Sequence, residues 1–276
     1  MSWWTAVTFM IGMFLGSLVN IVSRRLPKYM EAQWRREHDE MNDVQVETQP
    51  LYRIFTSRSH CPQCNITIKA WHTIPLIGFL ALKGKCAACQ GSIGWRYPAV
   101  ELFVGGLFAC CFAKWGFNET GLAWAGFAAT LVTLALIDWD TYILPDSMTL
   151  PLVWAGMIAA ANRWTPIGLT DSMWGAVGGY LSLWTIYWAF KLIRGKEGMG
   201  YGDFKLFAAL GAWFGWQGLI PLILMASVVG AVVGIALQLN RKLRVGEQIP
   251  FGPYLVGAGL VGVYLGPFGL RSFTAG

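Results

Sequence analysis

Long apolar stretches alternate with short polar stretches along the whole chain. Several of them approach the ~20 residues that an α-helix needs to cross a bilayer. One further apolar run, Ile74–Leu82, is too short to span a bilayer and predicts a hairpin or an interfacial element. Eight segments predict membrane helices: Trp4–Val22, Pro98–Trp115, Gly121–Ile137, Met148–Asn162, Met173–Ile193, Phe204–Trp216, Leu219–Leu239 and Pro253–Leu270. The segments that begin at Met148 and Phe204 are short.

The composition supports the same class of protein. Hydrophobic residues make up 55% of the 276 positions and charged residues only 13%, whereas a soluble domain carries about 25% charged residues. We therefore expect an all-α polytopic membrane protein with about eight transmembrane helices that lie in the lipid bilayer.

The basic residues set the expected orientation. If the N-terminus lies outside, nearly all of the 21 Lys and Arg residues fall in inner loops; Lys114, Arg163 and Arg271 are the exceptions. Such asymmetry is what the positive-inside rule describes. The net charge of +6 is thus explained by topology, and no nucleic-acid partner is needed.

Three regions follow along the chain. Residues 1–22 form a first helix that lacks a basic leading region and a small-residue cleavage site, so we interpret it as a retained anchor. Residues 23–97 form a cytoplasmic loop, in which the polar insert Tyr29–Gln49 predicts a surface helix. Residues 98–276 are expected to form a seven-helix membrane domain.

The cytoplasmic loop contains a cysteine pattern typical of metal sites. Cys61, Cys64, Cys86 and Cys89 form C-x2-C-x21-C-x2-C, and two such knuckles suit a tetrahedral thiolate site for structural zinc. Disulfides are not expected in a cytoplasmic loop, although reduced free thiols or a redox pair remain alternatives. His60 and His72 lie nearby in the sequence, but four cysteines already complete the coordination.

Few acidic residues lie at membrane depth, and each is a candidate for function. Asp138 follows the third apolar segment and Asp203 opens the sixth, and the predicted topology places both on the cytoplasmic side. Asp140 would point away from Asp138 on a regular helix. Asp146, which follows Pro145, is interpreted as an N-cap of the next helix. Helix capping at the lipid boundary is the alternative for Asp138 and Asp203 when each is considered alone.

Two converging carboxylates can share a proton, so that one acts as an acid and the other as a base towards a peptide bond. A substrate must reach such a pair in extended form. The glycines that precede Asp203, among them Gly200 and Gly202, allow positive φ and a close backbone approach. We therefore interpret these glycines as room for the substrate and the two aspartates as candidate catalytic residues.

At this point the sequence resembles the type IV prepilin peptidases, a family of intramembrane aspartyl proteases. "GMGYGDFKLFAALGAW" is similar to their GxGD signature, and "LIDWDTYILPDSMTLPLVW" resembles their first aspartate motif. The cysteine knuckles also resemble the family's other conserved stretches, as do "GSLVNIVSRRLP", "RYPAVE" and "IPFGPYLVGAG", and all of these stretches follow in the same order. The resemblance covers nearly the whole chain.

The resemblance implies a bifunctional enzyme of the bacterial inner membrane. It would cut the basic leader from type IV prepilins or type II secretion pseudopilins after a glycine, on the cytoplasmic side. It would then methylate the new N-terminus with S-adenosylmethionine, at a donor site that the sequence does not identify. Asp138 and Asp203 correspond to the two catalytic aspartates, and the four cysteines to the element present in bifunctional members.

Acidic residues around the site suggest how a basic leader could be held. Asp140 and Glu197 lie beside the two aspartates in the sequence and are predicted to assist the approach of the substrate. Glu101, at the start of the second span, could position the substrate amine or stabilise the loop, and a structural ion pair with Arg96 is the alternative. The alternative function is a proton-coupled transporter that uses the same acids, although such proteins often have duplicated halves; a membrane scaffold is a third interpretation.

Overall fold

In the computed structural model, α-helices and short 3-10 turns make up the regular structure of the described residues, which are 3–40, 52–56, 58–61, 63–195, 199–240 and 249–272. Two isolated antiparallel bridges, His60 with Thr67 and Lys85 with Ser92, are the extended pairings among them. The helices are α1 (Trp3–Glu40), α2 (Arg53–Thr56), α3 (Ile77–Ala81), α4 (Arg96–Trp115), α5 (Glu119–Thr141), α6 (Asp146–Ala161), α7 (Leu169–Arg194), α8 (Tyr201–Phe214), α9 (Leu219–Leu239) and α10 (Gly252–Ser272).

Each of the eight predicted segments is mainly helical in the structure, although Gly215 ends α8 within Phe204–Trp216 and Gly266 interrupts α10 within Pro253–Leu270. In the part of the chain that the structure describes, four helical stretches are long and apolar enough to cross a membrane: Trp3–Asp39, Arg96–Trp115, Glu119–Thr141 and Trp216–Leu239. The all-helical membrane class is therefore confirmed, whereas the number of eight spans and the orientation stay predictions. The first part of the polar insert, up to Glu40, continues α1 as one helix through Pro27.

The chain divides into two compact units, Met1–Ala113 and Lys114–Gly276. In the first unit, α1 and α4 pack closely through small residues. A Cβ on Gly12 would lie 2.6 Å from Cβ of Phe108, and a Cβ on Gly16 would lie 2.7 Å from Cα of Glu101. Asn20 Nδ2 also donates to the carbonyl of Tyr97 over 3.1 Å. Small residues allow such close approach between membrane helices.

The second unit is built around α8, whose residues from Asp203 to Phe214 are all buried except Lys205, which is half-buried. Gly211 of α8 meets Gly175 of α7 backbone to backbone, since a Cβ on Gly211 would lie 2.0 Å from the Gly175 carbonyl oxygen. Ser172 Oγ donates to the Ala212 carbonyl over 2.7 Å, and Trp213 Nε1 donates to the Leu152 carbonyl over 2.9 Å. Protein on several sides, rather than lipid, therefore surrounds this helix of only 14 residues, and the packing holds its first turn in a fixed position.

Candidate functional site

Asp138 lies in the last turn of α5 and is 5% exposed. The helix ends at Thr141, because the next residue, Tyr142, adopts the left-handed conformation (φ 57°) and donates its N–H to the Asp138 carbonyl. The backbone N–H of Gly252, at the start of α10, interacts with the Asp138 carboxylate. Oδ2 of this carboxylate is buried and has no hydrogen-bond partner among the described residues.

Asp203 lies in the first turn of α8 and is 7% exposed. Gly200 is the N-cap, and the Asp203 N–H donates to the Gly200 carbonyl over 3.2 Å. In return the Asp203 carboxylate accepts from the Gly200 N–H. An acidic side chain that reaches back to the N-cap N–H is the arrangement of a capping box, and the positive end of the helix dipole favours an anion there.

The structure brings the two aspartates into one site, with Leu144 between their supporting glycines. The charge of Asp138 acts directly on Asp203. A Cβ on Gly202 would lie 2.7 Å from Cβ of Leu144, and a Cβ on Gly252 would lie 3.4 Å from Cδ1 of Leu144 and 2.5 Å from Oδ2 of Asp138. Residues 65 positions apart by the sequence numbering therefore converge through the loop that joins α5 to α6.

The glycines that precede Asp203 differ in their surroundings. Beside Gly200 there is open space, because the nearest atom to a built Cβ is Oδ2 of Asp203 at 3.9 Å. Gly202 has Leu144 packed against it, and neither residue has a positive φ. The freedom to adopt positive φ is thus not used at these two positions, whereas close approach is used at Gly202. Gly198 and Glu197 lie outside the described residues.

The other acids of this region have different environments. Asp140 is exposed on α5, in agreement with its expected orientation away from Asp138. The prediction that Asp146 is an N-cap is wrong, because Pro145 occupies that position and Asp146 is the first residue of α6. Both carboxylate oxygens of Asp146 instead accept from Lys205 Nζ, over 2.6 and 2.7 Å. This ion pair joins the start of α6 to the first turn of α8.

Residues that the sequence did not single out complete the site. Gly252 leaves the space that the Asp138 carboxylate occupies, and Leu144 separates the two supporting glycines. Gly252 lies within "IPFGPYLVGAG", which carried the resemblance to a family, but no local pattern connects it with Asp138. Only the packing of α10 against α5 brings them together.

A second candidate site is the cysteine cluster of the first unit. The sulfurs of Cys61, Cys64, Cys86 and Cys89 lie within 4.8 Å of one another, and all four thiols are free. Cys61 and Cys89 are 3.8 Å apart at sulfur, and Cys64 and Cys86 are 3.9 Å apart. A tetrahedral zinc ion with Zn–S bonds of about 2.3 Å requires sulfurs about 3.8 Å apart. The four thiols therefore fit a tetrahedral metal ion.

The two knuckles have the same backbone structure. The N–H of Cys61 donates to the Ile66 carbonyl and that of Cys86 to the Gly91 carbonyl, over 3.0 and 2.8 Å. The residue that follows the second cysteine of each knuckle, Asn65 or Gln90, has a positive φ. Equivalent turns present the two sulfur pairs towards each other.

Backbone N–H groups favour thiolates at the first cysteine of each knuckle. Those of Cys89 and Ala88 lower the pKa of Cys86 to about 6, and those of Cys64 and Gln63 lower the pKa of Cys61. The N–H of Ile66 lowers the pKa of Cys64, but desolvation and the neighbouring thiols together raise it to about 11. Adjacent negative sulfurs oppose one another, so a bound cation would stabilise the full set of thiolates.

His60, His72 and Glu101 lie outside this cluster. Neither histidine belongs to the group of possible metal ligands among the described residues; His72 instead stacks on Trp71, with ring centroids 5.4 Å apart. Glu101 is 8% exposed and its Oε2 accepts from the Leu76 N–H over 2.9 Å. Of the two roles considered for Glu101, stabilising the loop is the one for which the structure shows a contact.

Comparison with known proteins adds the family. The model of the type IV leader peptidase family matches residues 125–235, and that of the bacterial peptidase A24 N-terminal domain matches residues 10–115. The prepilin leader peptidase/N-methyltransferase of Stutzerimonas stutzeri is 46% identical, over 93% of this chain and 89% of the relative. The chain belongs to the type IV leader peptidase family. It is thus a bacterial membrane enzyme of a peptidase family. The segment matched at residues 10–115 contains the cysteine cluster, and the segment matched at residues 125–235 contains both aspartates.

Other relatives carry the same name. The prepilin leader peptidase/N-methyltransferase of Pseudomonas aeruginosa is 46% identical, over 94% of this chain and 89% of that protein. That of Aeromonas hydrophila is 43% identical, over 95% of this chain and 90% of that protein. No solved structure matches the chain. The names of these relatives join two activities, peptidase and N-methyltransferase, in one protein.

Proposed function

We propose that this protein is an intramembrane aspartyl endopeptidase that removes the leader from type IV prepilins or type II secretion pseudopilins. It cleaves after glycine on the cytoplasmic side of the inner membrane and then N-methylates the new N-terminal residue with S-adenosylmethionine. The observation that carries the peptidase part is the convergence of two buried carboxylates, Asp138 and Asp203, in one site whose glycines, Gly252 and Gly202, both lie against Leu144. The names of the relatives support the pairing of cleavage with methylation.

The chemistry follows from the proximity of two acids in a water-poor site. Like charges at short range disfavour double ionisation, so one carboxyl keeps a proton while the other is ionised. The ionised carboxylate takes a proton from a water molecule as the water oxygen attacks the peptide carbonyl carbon, and the protonated carboxyl donates to the carbonyl oxygen. When the intermediate collapses, the C–N bond breaks and the leaving nitrogen takes up a proton.

The geometry supports this division of labour between the aspartates. Asp203 is held by the Gly200 N–H at a helix N-terminus, where an anion is favoured. The unpartnered Oδ2 of Asp138 is buried beside Gly252 and is available for a proton or a water molecule. We therefore assign the proton-sharing pair to Asp138 and Asp203, and the approach of the substrate backbone to the open side of Gly200.

The cysteine cluster supports a zinc ion with a structural role in the methylating part of the protein. Cys61, Cys64, Cys86 and Cys89 would hold the ion, which would fix the two knuckles relative to each other. With four thiolate ligands the coordination would be closed, as in structural zinc sites. S-adenosylmethionine would supply the methyl group: its S–CH3 bond would break as the new C–N bond forms, S-adenosylhomocysteine would leave, and the amine would release a proton.

Acidic residues that lie close to the aspartates in the sequence support the recognition of a basic leader. Asp140 is exposed next to Asp138, and Glu197 precedes Asp203 in the sequence. Charge reversal of Asp140 to Lys should raise the KM for a basic-leader substrate and leave kcat nearly unchanged. Equal KM values for the two proteins in a cleavage assay would rule out this part of the proposal.

Product analysis tests the proposed function as a whole. The purified protein in detergent would be incubated with a prepilin-like substrate and S-adenosylmethionine, and the products identified by mass spectrometry. We expect a single cut after the glycine and a mature chain heavier by one methyl group. A pre-cleaved substrate separates the two steps: methylation without cleavage of the intact substrate would contradict the peptidase assignment, and cleavage alone would contradict the methyltransferase assignment.

A further inference from the structure

The segment between the two cysteine knuckles presents an apolar surface that neither proposed activity uses. This interknuckle segment, residues 69–83, contains a 3-10 turn (Ala70–Thr73) and α3. It is tightly folded, since a Cβ on Gly78 would lie 2.1 Å from the His72 carbonyl oxygen. Pro75 and Gly78 face inward and are buried. The backbone of the segment therefore folds tightly on itself around Gly78.

Large apolar side chains recur every third residue along the segment and are exposed. Trp71 is 64% exposed, Ile74 37%, Ile77 62% and Leu80 62%. Single exposed apolar residues are common on protein surfaces, but a run of four in one short segment marks an interaction site. The question is therefore what covers them.

Hydrogen bonds show how deep the segment lies relative to the membrane helices of its own unit. The Leu76 N–H donates to Oε2 of Glu101 over 2.9 Å. Glu101 is five residues beyond Arg96, where α4 begins, which corresponds to about 7.5 Å along the helix axis. Gly16 of α1 packs against the Glu101 backbone, and both helices are candidate spans. Leu76 thus lies beside the second turn of α4, at the level of Gly16 within α1, and not beyond the ends of these helices.

The flanking residues have the character of a membrane interface. Trp95, 77% exposed, directly precedes α4 and contacts the ring of Phe79, with centroids 5.0 Å apart. Lys69 lies 5.9 Å from the ring centroid of Trp71, and Lys83 follows α3. The sequence from Lys69 to Arg96 contains no acidic residue. Tryptophan and lysine concentrate at the headgroup level of bilayers, and basic residues attract anionic lipids.

The geometry points to a lipid-contact surface: the interknuckle segment lies in the headgroup–acyl boundary of the membrane that α1 and α4 cross, with Ile77 and Leu80 inserted and Glu101 as its anchor. An interfacial element buries its apolar face roughly 5–10 Å into this boundary, which agrees with the level of Glu101. This placement holds the cysteine knuckles at the membrane surface.

Depth-dependent quenching tests the inference on the full chain. A fluorescent amino acid would replace Leu80 and, as a control, Ile66, which is 51% exposed in the first knuckle. Each protein would be placed as a single copy in nanodiscs of phosphatidylethanolamine and phosphatidylglycerol. We expect lipids with a spin label high on the acyl chain to quench the probe at 80 several-fold more than the probe at 66, and aqueous iodide to show the reverse order.

Two outcomes would overturn the inference. Equal access of iodide to both probes would mean that the segment lies in water. Protection of position 80 from iodide without quenching by lipid would mean that protein covers it. Because each nanodisc holds a single copy, the covering protein would be another part of this chain.

The anchor has its own matched pair of variants. Glu101→Gln keeps an acceptor for the Leu76 N–H, whereas Glu101→Ala removes it. We expect iodide access at position 80 to rise several-fold in Glu101→Ala and to stay unchanged in Glu101→Gln. Unchanged iodide access at position 80 in both variants would show that Glu101 is not the anchor. The assay does not depend on prepilin cleavage, so this inference and the proposed function can fail separately.

Discussion

At the scale of single residues, the site depends on the absence of two side chains. Gly252 and Gly202 both lie where a Cβ would collide with the site, the first with Asp138 and the second with Leu144. Glycine is needed here for close approach, because neither residue has a positive φ. The position of the Asp138 carboxylate is therefore set as much by Gly252 as by α5.

The Gly252→Ala variant tests this packing. Its Cβ would lie 2.5 Å from Oδ2 of Asp138, so the carboxylate must move. Since misplacement by about 1 Å can cost on the order of 10²-fold in rate, we expect a loss of that size in kcat for prepilin cleavage. Gly257→Ala is the control on the same helix, because a Cβ there meets no atom within 4 Å; equal rates in the two variants would show that the close approach does not matter.

At the scale of secondary-structure elements, an ion pair connects the start of α6 to α8, the helix that carries Asp203. Lys205 follows Asp203 in the first turn of α8, and Asp146 begins α6 just after Leu144 and Pro145. Both oxygens of Asp146 contact Lys205 Nζ. Because the side chains are 25% and 57% exposed, the pair contributes little to stability, roughly 0–1 kcal/mol, and its main effect is to fix the loop against α8.

Charge exchange tests the role of the pair. Lys205→Asp and Asp146→Lys alone place like charges opposite each other, and we expect each to lower kcat several-fold with little change in melting temperature. The double variant Asp146→Lys/Lys205→Asp restores opposite charges and should recover most of the rate. If the fold-loss in kcat of the double variant equals the product of the two single fold-losses, the ion pair between the two residues does not affect catalysis.

At the scale of the whole molecule, the two compact units coincide with the two matched family segments. The N-terminal model covers residues 10–115 and the peptidase model residues 125–235, with the boundary between units after Ala113. The cysteine cluster belongs to the first unit and both aspartates to the second. We therefore expect the two activities to respond differently to loss of the metal.

Zinc removal provides the test. Elemental analysis should find about one zinc per chain, as expected for four cysteines around one tetrahedral ion. Chelation should lower methylation of a pre-cleaved substrate more than it lowers cleavage. The Cys64→Ser variant should behave like the chelated protein, and Cys110→Ser, outside the cluster, like the wild type. Well under one zinc per chain, or no effect of chelation, would contradict the structural metal.

The sequence predicted what depends on local pattern. Apolar runs located the helices, the knuckle spacing identified the four cysteines, and the burial of Asp138 with the exposure of Asp140 follows from helical periodicity. The contacts of Gly252 with Asp138 and of Lys205 with Asp146 could not be predicted, because they depend on how distant helices pack. Segment length alone could not show that the apolar residues of α8 face other helices in the second unit.

The central claim is that Asp138 and Asp203 act as one catalytic pair, and single-turnover cleavage by Asp138→Asn, Asp203→Asn and the double variant tests it most directly. Each single change should lower the rate by at least about 10²-fold, the range for general acid–base groups, and the double variant should be no slower than either, since residues that act as a unit are not additive. Asp171→Asn is the control, because its side chain accepts from Trp216 Nε1 and asparagine can do the same. A near-normal rate in either single variant, or a double variant slowed by the product of both losses, would contradict the pair.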